Sequence, residues 1–342
     1  MTRVLGWDIG GANVKAALAE HDRIERVVQL PCPALADPNK FDAAVAAARA
    51  LFPAAELHAV TMTGELSDVF SDRRQGVAYL IALMQKMAEG APVLIYAGAP
   101  GLLKPQAALE QPLKVASANW HAAATLLARK YTETLFIDVG TTTTDLLPIK
   151  RGCVSARGFT DAERLTEGEL IYCGVVRTPV MAIAQTVPFR GRVQRIAAER
   201  FATMADVFRL TGELSEDADP FPTADQRGKS AEESAGRLAR MLGRDAGDAA
   251  HGEWVAVAEH LAEAQIAMIE EAARNLCKRE NLSPDASIIG AGCGRFIAED
   301  IAGRLGRRFA DFSEAFDVAP DAREMAARCA PAVAVALLSG AS

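Results

Sequence analysis

Positive charge is not in excess: 342 residues carry 37 Lys and Arg against 44 Asp and Glu, a formal net charge of −7. Without a basic field there is no general attraction for a polyanionic strand, so no nucleic-acid partner is expected. Paired metal-ligand motifs are missing as well. The six cysteines (Cys32, Cys153, Cys173, Cys277, Cys293, Cys329) contain no C-x-x-C and the five histidines no H-x-x-x-H, which excludes a zinc-finger-type centre and a disulfide framework. Long apolar runs are lacking too. The stretch near Ala330 to Leu338 falls well short of the ~20 residues that span a bilayer, and Val4 to Ile9 is broken by Asp8, too short and polar for a signal peptide. The expectation is a reduced, cytoplasmic protein with no membrane segment. No linker rich in Gly, Ser or Pro divides the chain. With 50% hydrophobic and 24% charged residues it reads as globular, with two lobes sharing one cleft.

Strand and helix patterns alternate, which favours an α/β layer. Arg3 to Ile9, Val14 to Ala19 and Ile24 to Leu30 form a meander, followed by a helix from Pro38 through Leu51 and a strand over Leu57 to Met62. A helix over Gly76 to Ala88, a strand over Val93 to Ala97 and a helix over Trp120 to Lys130 follow. Thr134 to Val139 and Asp145 to Ile149 are strands, and about 190–281 is mostly helical, with its longest amphipathic run from Trp254 to Glu280. An acidic, proline-bearing loop, 215–229, interrupts it, either as a solvated connection or as a lid or substrate loop.

An internal repeat organises the chain. Trp7-Asp-Ile-Gly-Gly and Ile137-Asp-Val-Gly-Thr each end a buried strand in Asp-x-Gly and turn into a second strand. A third glycine turn, Ile288-Ile-Gly-Ala-Gly-Cys-Gly, leads into a helix from Arg295 to Leu305, and the three junctions are expected to converge on one cleft.

A glycine turn can present backbone N–H groups as a nest for an anion, with positive φ and no side chain in the way. In the first turn Gly10, Gly11 and Asn13 would face a phosphate with Lys15 as a point charge; in the second, Gly140 would do so with the hydroxyls of Thr141, Thr142 and Thr143. Asp8 and Asp138, at their strand ends, suit Mg²⁺ directly or through water, and Asp145 could join them. Each motif alone is equally a hairpin turn; the pairing favours phosphate.

These turns resemble the phosphate motifs of the acetate and sugar kinase, Hsp70 and actin superfamily (ASKHA). More closely, the chain resembles the hydantoinase/oxoprolinase-related family tied to tetrahydromethanopterin-linked one-carbon transfer, methanofuran biosynthesis included. The likeness is carried by Trp7-Asp-Ile-Gly-Gly-Ala-Asn-Val-Lys, Met62-Thr-Gly-Glu-Leu-Ser-Asp, Ser117-Ala-Asn-Trp, Asp138-Val-Gly-Thr-Thr-Thr-Thr-Asp, Arg164-Leu-Thr-Glu-Gly-Glu-Leu-Ile-Tyr, Arg177-Thr-Pro and Phe221-Pro-Thr-Ala-Asp. It implies a duplicated actin-like, ribonuclease H-like two-lobe α/β fold: a first lobe over 1–130, a second over 131–342, and the helical insertion in the second half. It also implies a transferase that joins an aminomethylfuran-methyl diphosphate to the phenol oxygen of γ-glutamyltyramine or a related tyramine, releasing pyrophosphate.

On that reading Mg²⁺ on Asp8 and Asp138 and the two turns offset the charge that grows on the leaving group. Glu65 and Asp145 are candidate bases for the phenol, with Asp8 beside them as a catalytic residue. Asn119 and Trp120 offer a polar contact and a stacking face, although an N-cap and a core residue are the plain alternatives. Arg177 would clamp a phosphate or carboxylate, or is simply an exposed Arg, while Gly290 and Gly292 belong to a substrate contact or a generic strand–helix junction. Gly64, Ser67 and Thr141 depart from the archaeal pattern of Ala, Ala and Ser, which leaves the substrate within this class open. The competing expectation is an ATP-dependent kinase or hydantoinase-like ATPase, in which ATP is the cofactor. A homo-oligomer is compatible with the sequence.

Overall fold

The meander forms as β1 (Arg3–Ile9), β2 (Asn13–Glu20) and β3 (Arg23–Pro31), each antiparallel to the next. Then come α1 (Asn39–Arg49), β4 (Leu57–Met62), α2 (Arg73–Met87), β5 (Val93–Tyr96), β6 (Leu102–Leu103), α3 (Pro105–Leu109), α4 (Pro112–Val115) and α5 (Asn119–Ala128). β4 lies parallel to β1 from Val4↔Leu57 to Ile9↔Met62, and the sheet order is β3-β2-β1-β4-β5-β6. The computed structural model describes residues 3–34 and 37–340. It divides into two units: Met1–Glu133, Ile149–Ser155 and Ala310–Ser342; and Thr134–Pro148 with Ala156–Phe309.

Strand alternation gives β1 two buried faces. Leu5, Trp7 and Ile9 join Phe41, Val45, Val77 and Leu80 in one core. Across to β4, the Trp7 indole donates to His58 Nδ1 at 3.0 Å, and burial pushes the imidazole down to about 4, so it stays neutral and accepts. On the other face Gly6 lies against the closing helix of the chain. A Cβ there would stand 2.1 Å from the Ala332 oxygen and 2.7 Å from Ala336 Cβ. Gly6→Ala is therefore expected to lower stability by about 2 kcal/mol through forced displacement of that helix; an unchanged melting temperature would refute the close approach.

The second half begins with β7 (Glu133–Val139), β8 (Thr144–Lys150) and β9 (Cys153–Val154), then α6 (Asp161–Glu167) and β10 (Leu170–Ile171). A hairpin, β11 (Thr186–Phe189) and β12 (Arg192–Arg195), precedes α7 (Met204–Thr211), α8 (Ala231–Met241) and α9 (His251–Arg279). β13 (Ser287–Ala291) runs parallel to β7, followed by α10 (Arg295–Arg304) and β14 (Phe309–Asp311). The order β10-β8-β7-β13-β14 repeats the first five positions of the first sheet. Each unit is thus a ribonuclease H-like sheet, and the fold is the duplicated actin-like α/β fold. Helices α7, α8 and α9 are inserted in the chain between β10 and β13, after the β11–β12 hairpin.

Two boundaries differ from the sequence reading. The helical insertion, expected from about 190, opens on strand β12, because Arg190 and Gly191 (φ 49° and 72°) form the tight turn that joins antiparallel strands. The segment 310–342, expected in the second lobe, clusters with the first unit. Its helices α11 (Arg323–Arg328) and α12 (Ala330–Gly340) return there, and α12, buried from Ala330 to Ser339, packs on β1, β2, β4 and α5. No helix among the described residues is long and apolar enough to cross a membrane.

Candidate active site

Both repeat turns close in the same way. The Gly10 N–H donates to Asn13 O at 2.9 Å, and the Gly140 N–H donates to Thr143 O at 2.9 Å. Gly10, Gly11 and Gly140 do not adopt positive φ, unlike Gly292 at 86°. A Cβ on Gly11 would meet the movable Ser67 hydroxyl at 2.5 Å, and one on Gly140 would lie at an ordinary 3.4 Å from Thr143 O. The expected left-handed nest is thus corrected, with the Gly10 and Gly140 N–H groups already committed to turn closure.

In the first turn Asp8 and Asn13 are buried, and Lys15 Nζ donates to Asp8 Oδ2 at 3.1 Å. Asp8 Oδ1 and Asn13 Oδ1 have no hydrogen-bond partner. A buried carboxylate oxygen without a donor costs stability, a cost often retained where an oxygen-seeking cation or a substrate will meet it. Hard-oxygen donors of this kind fit Mg²⁺, which keeps several waters and needs one or two carboxylates. Among the described residues no group of three or more His, Cys, Asp or Glu could hold a metal alone. Asp138, next to last in β7, is half-buried.

The second turn rests on a strap. Val175 N donates to Gly140 O at 3.1 Å, and Val176 N and Arg177 N donate to Thr141 O at 3.1 and 2.8 Å. Gly174 lies directly beneath, where a Cβ would stand 2.5 Å from Gly140 O and Thr142 N. Thr141 and Thr142 bring their hydroxyls within 3.4 Å of each other; the following Thr144 is buried, and its hydroxyl donates to Cys173 O at 2.7 Å. The Arg177 side chain is exposed, 5.9 Å from the Phe221 ring centroid.

The remaining candidates separate. Glu65, in a short 3₁₀ turn over Gly64–Leu66, is 1% exposed. Its Oε1 accepts from Ser117 N at 2.8 Å and Ser117 Oγ at 3.0 Å, while Oε2 has no partner. Burial pushes its carboxyl up to about 7 against the pull of those hydrogen bonds. Asp145 is engaged by the buried Arg164, whose Nη2 donates to Oδ1 at 2.5 Å, an ion pair that fastens α6 to β8. Asn119 is the first residue of α5 and not its cap, which is Ala118. Trp120 is 3% exposed with its ring edge-on to His121, so it offers no open stacking face. Gly290 clears Phe309, and Gly292 clears Val139 O and Asp138 Oδ1, both close approaches of a strand–helix junction. The acidic loop is tied down: Asp219 pairs with Arg209, and Asp225 Oδ1 accepts from the buried Arg237 at 3.0 Å.

Comparison with known proteins places the chain in a family. The family model described as hydantoinase/oxoprolinase matches residues 56–317. The chain belongs to the hydantoinase/oxoprolinase family. This family member is 31% identical over 298 residues, 87% of its length and 88% of the relative's, to the (4-{4-[2-(gamma-L-glutamylamino)ethyl]phenoxymethyl}furan-2-yl)methanamine synthase of Methanocaldococcus jannaschii. It is 27% identical over 171 residues, 50% of the chain and 75% of the relative, to the synthase of the same name from Methanococcus vannielii. As a relative of proteins named synthases, the chain is an enzyme of transferase type. Nucleotide-free acetone carboxylase shares the fold, with a TM-score of 0.60, 10% identity and coverage of 97% of this chain and 70% of that one.

One part of the family member's site has no local signal in the sequence. Gln265 on α9 is fully buried, and its Nε2 donates to Gly174 O at 3.2 Å and lies 3.0 Å from Cys173 Sγ. Gly174 N in turn donates to Thr178 Oγ1 at 2.8 Å. Only the fold brings α9 to the strap; the glycine at 174 is the one residue-type clue. Gln265→Leu keeps the bulk and removes both contacts. It is expected to weaken pyrophosphate binding in Mg²⁺ about tenfold, measured by calorimetry; unaltered affinity would detach α9 from the turn.

Proposed function

We propose that the chain is an ether-forming transferase of furan-cofactor biosynthesis, of the methanofuran or methylofuran type. The donor is an aminomethylfuran-methyl diphosphate and the acceptor the phenol of γ-glutamyltyramine or a related tyramine. The product named for the archaeal relatives contains that phenoxymethyl-furan ether. The observation that carries the reading is the buried Asp8 at the first turn, whose Oδ1 has no hydrogen-bond partner, as is also true of Asn13 Oδ1 in the same turn.

In the reaction the bond between the furan methylene carbon and the diphosphate oxygen breaks, and the diphosphate leaves with the electron pair. The phenol oxygen forms the new bond to that carbon and gives up its proton. The Thr141 and Thr142 hydroxyls and Arg177 offset charge on the leaving group. Glu65, with a carboxyl near neutrality and a free Oε2, is the candidate acceptor of the phenol proton. Asp8 at the first turn and Asp138 at the second are each a candidate Mg²⁺ ligand, and the ion when bound would supply further charge neutralisation to the diphosphate. Small-molecule substrates, a cytoplasmic location and the absence of nucleic-acid and membrane partners belong to the same reading.

The test supplies purified protein with Mg²⁺, the furan diphosphate and γ-glutamyltyramine, and follows pyrophosphate release and product mass beside an ATP-hydrolysis assay. Ether formation with one pyrophosphate per product and no ATP use supports the reading. Substrate-stimulated ATP turnover without coupling would replace it with the kinase or ATPase alternative.

A further inference from the structure

We propose that the strap 172–177 carries an aromatic subsite in which Tyr172 stacks on the ring of the diphosphate donor and Arg177 meets its anionic end. The inference rests on the reading that the second turn holds a phosphate of that donor.

Tyr172 is 63% exposed, against 37% for Phe201. It follows directly on the pair Ile171↔Thr144, so its backbone emerges beside the residue that ends the turn. That backbone is held. Cys173 N donates to Ile171 O at 2.8 Å, Cys173 O accepts from Thr144, and Gly174 is fastened at both its N–H and its carbonyl. Arg177 leaves the strap at its other end, its N–H on Thr141 O and its guanidinium over Phe221. Phe221 is fixed in turn, since its N–H donates to Asp219 Oδ1 at 3.1 Å and Asp219 is paired with Arg209.

A largely exposed tyrosine therefore follows the strand residue paired with Thr144, and a cation starts from the turn's Thr141 end, both on restrained backbone. Pre-organisation of this kind lowers the ordering cost of binding. A furan ring joined through one methylene to a diphosphate carries both complementary groups in one small molecule. The acceptor matches less well, because its carboxylate lies at the far end of a chain from its ring. The same geometry takes the stacking role from Trp120, which is buried.

Calorimetry in Mg²⁺ with pyrophosphate and with furfuryl diphosphate tests the proposal. The wild-type protein is expected to bind furfuryl diphosphate about five- to tenfold more tightly than pyrophosphate, the increment of a stacked ring. Tyr172→Ala should erase that preference while leaving pyrophosphate affinity unchanged, Tyr172→Phe should keep it, and Arg177→Ala should weaken both ligands. If Tyr172→Ala still binds pyrophosphate and retains the full preference, or if the wild type shows no preference, the aromatic subsite is wrong and the phosphate reading survives. If the wild type binds neither ligand, the phosphate reading falls and takes the subsite with it.

Discussion

Replacing Asp8 by Ala is expected to reduce turnover by at least about 10³-fold, and Asp138→Ala likewise, on the scale of removing charge or metal support from a transition state. The melting temperature of the Asp8 variant should not fall. The wild-type carboxylate is buried with Oδ1 unpartnered and Oδ2 on Lys15, so its removal relieves a desolvated acceptor while it sacrifices one partly exposed ion pair. A loss of activity without a loss of stability is what separates a ligand-facing carboxylate from a turn-stabilising one, which would destabilise the hairpin when removed. Asp8→Asn sharpens the comparison, because it keeps the shape and removes the charge. Steady-state pyrophosphate release and thermal unfolding measured on the same preparations decide the matter. Full activity of both Ala variants with Mg²⁺ present would remove the metal-and-phosphate assignment.

The repeat was legible because its signals are local. A strand ending in Asp-x-Gly followed by a short polar turn leaves the backbone few options, and the equal closures from Gly10 to Asn13 and from Gly140 to Thr143 follow from that shared pattern. The glycines misled in one respect. They suggested positive φ, which Gly10, Gly11 and Gly140 do not adopt, and Gly174, which the turn above it admits only without a Cβ, gave no local sign of its part. The same nonlocality hid Gln265 and the Arg164 partner of Asp145. Helix α12 was hidden for another reason: a run of Ala, Val and Leu without a polar face carries no amphipathic period, so its sequence cannot say which sheet will cover it. Gly6, which admits the helix, sits in an unremarkable strand pattern and shows its purpose only through Ala332 and Ala336.

Glu65→Gln is expected to stabilise the protein above neutral pH and leave it unchanged in acid. Burial raises the Glu65 carboxyl from 4.5 to about 7 in the folded chain. Between those values the native state therefore holds a proton that the unfolded chain has lost. Stability from this group is fully present below about 4.5 and falls as pH rises through about 7. Above that range the wild type carries a buried carboxylate at a cost on the order of 3 kcal/mol. The amide cannot ionise, yet its oxygen can still accept from Ser117 N and Oγ, so the variant should escape the alkaline loss while retaining the entry to α5. Unfolding midpoints at pH 4 and pH 8 read this directly; equal wild-type-to-variant differences at the two pH values would sink the raised carboxyl. Turnover supplies the second axis. If Glu65 takes the phenol proton, the variant loses about 10²-fold or more in kcat together with the acidic limb of the pH profile. A variant that gains alkaline stability but keeps its kcat would leave Glu65 as the anchor of Ser117 alone and pass the base to another group.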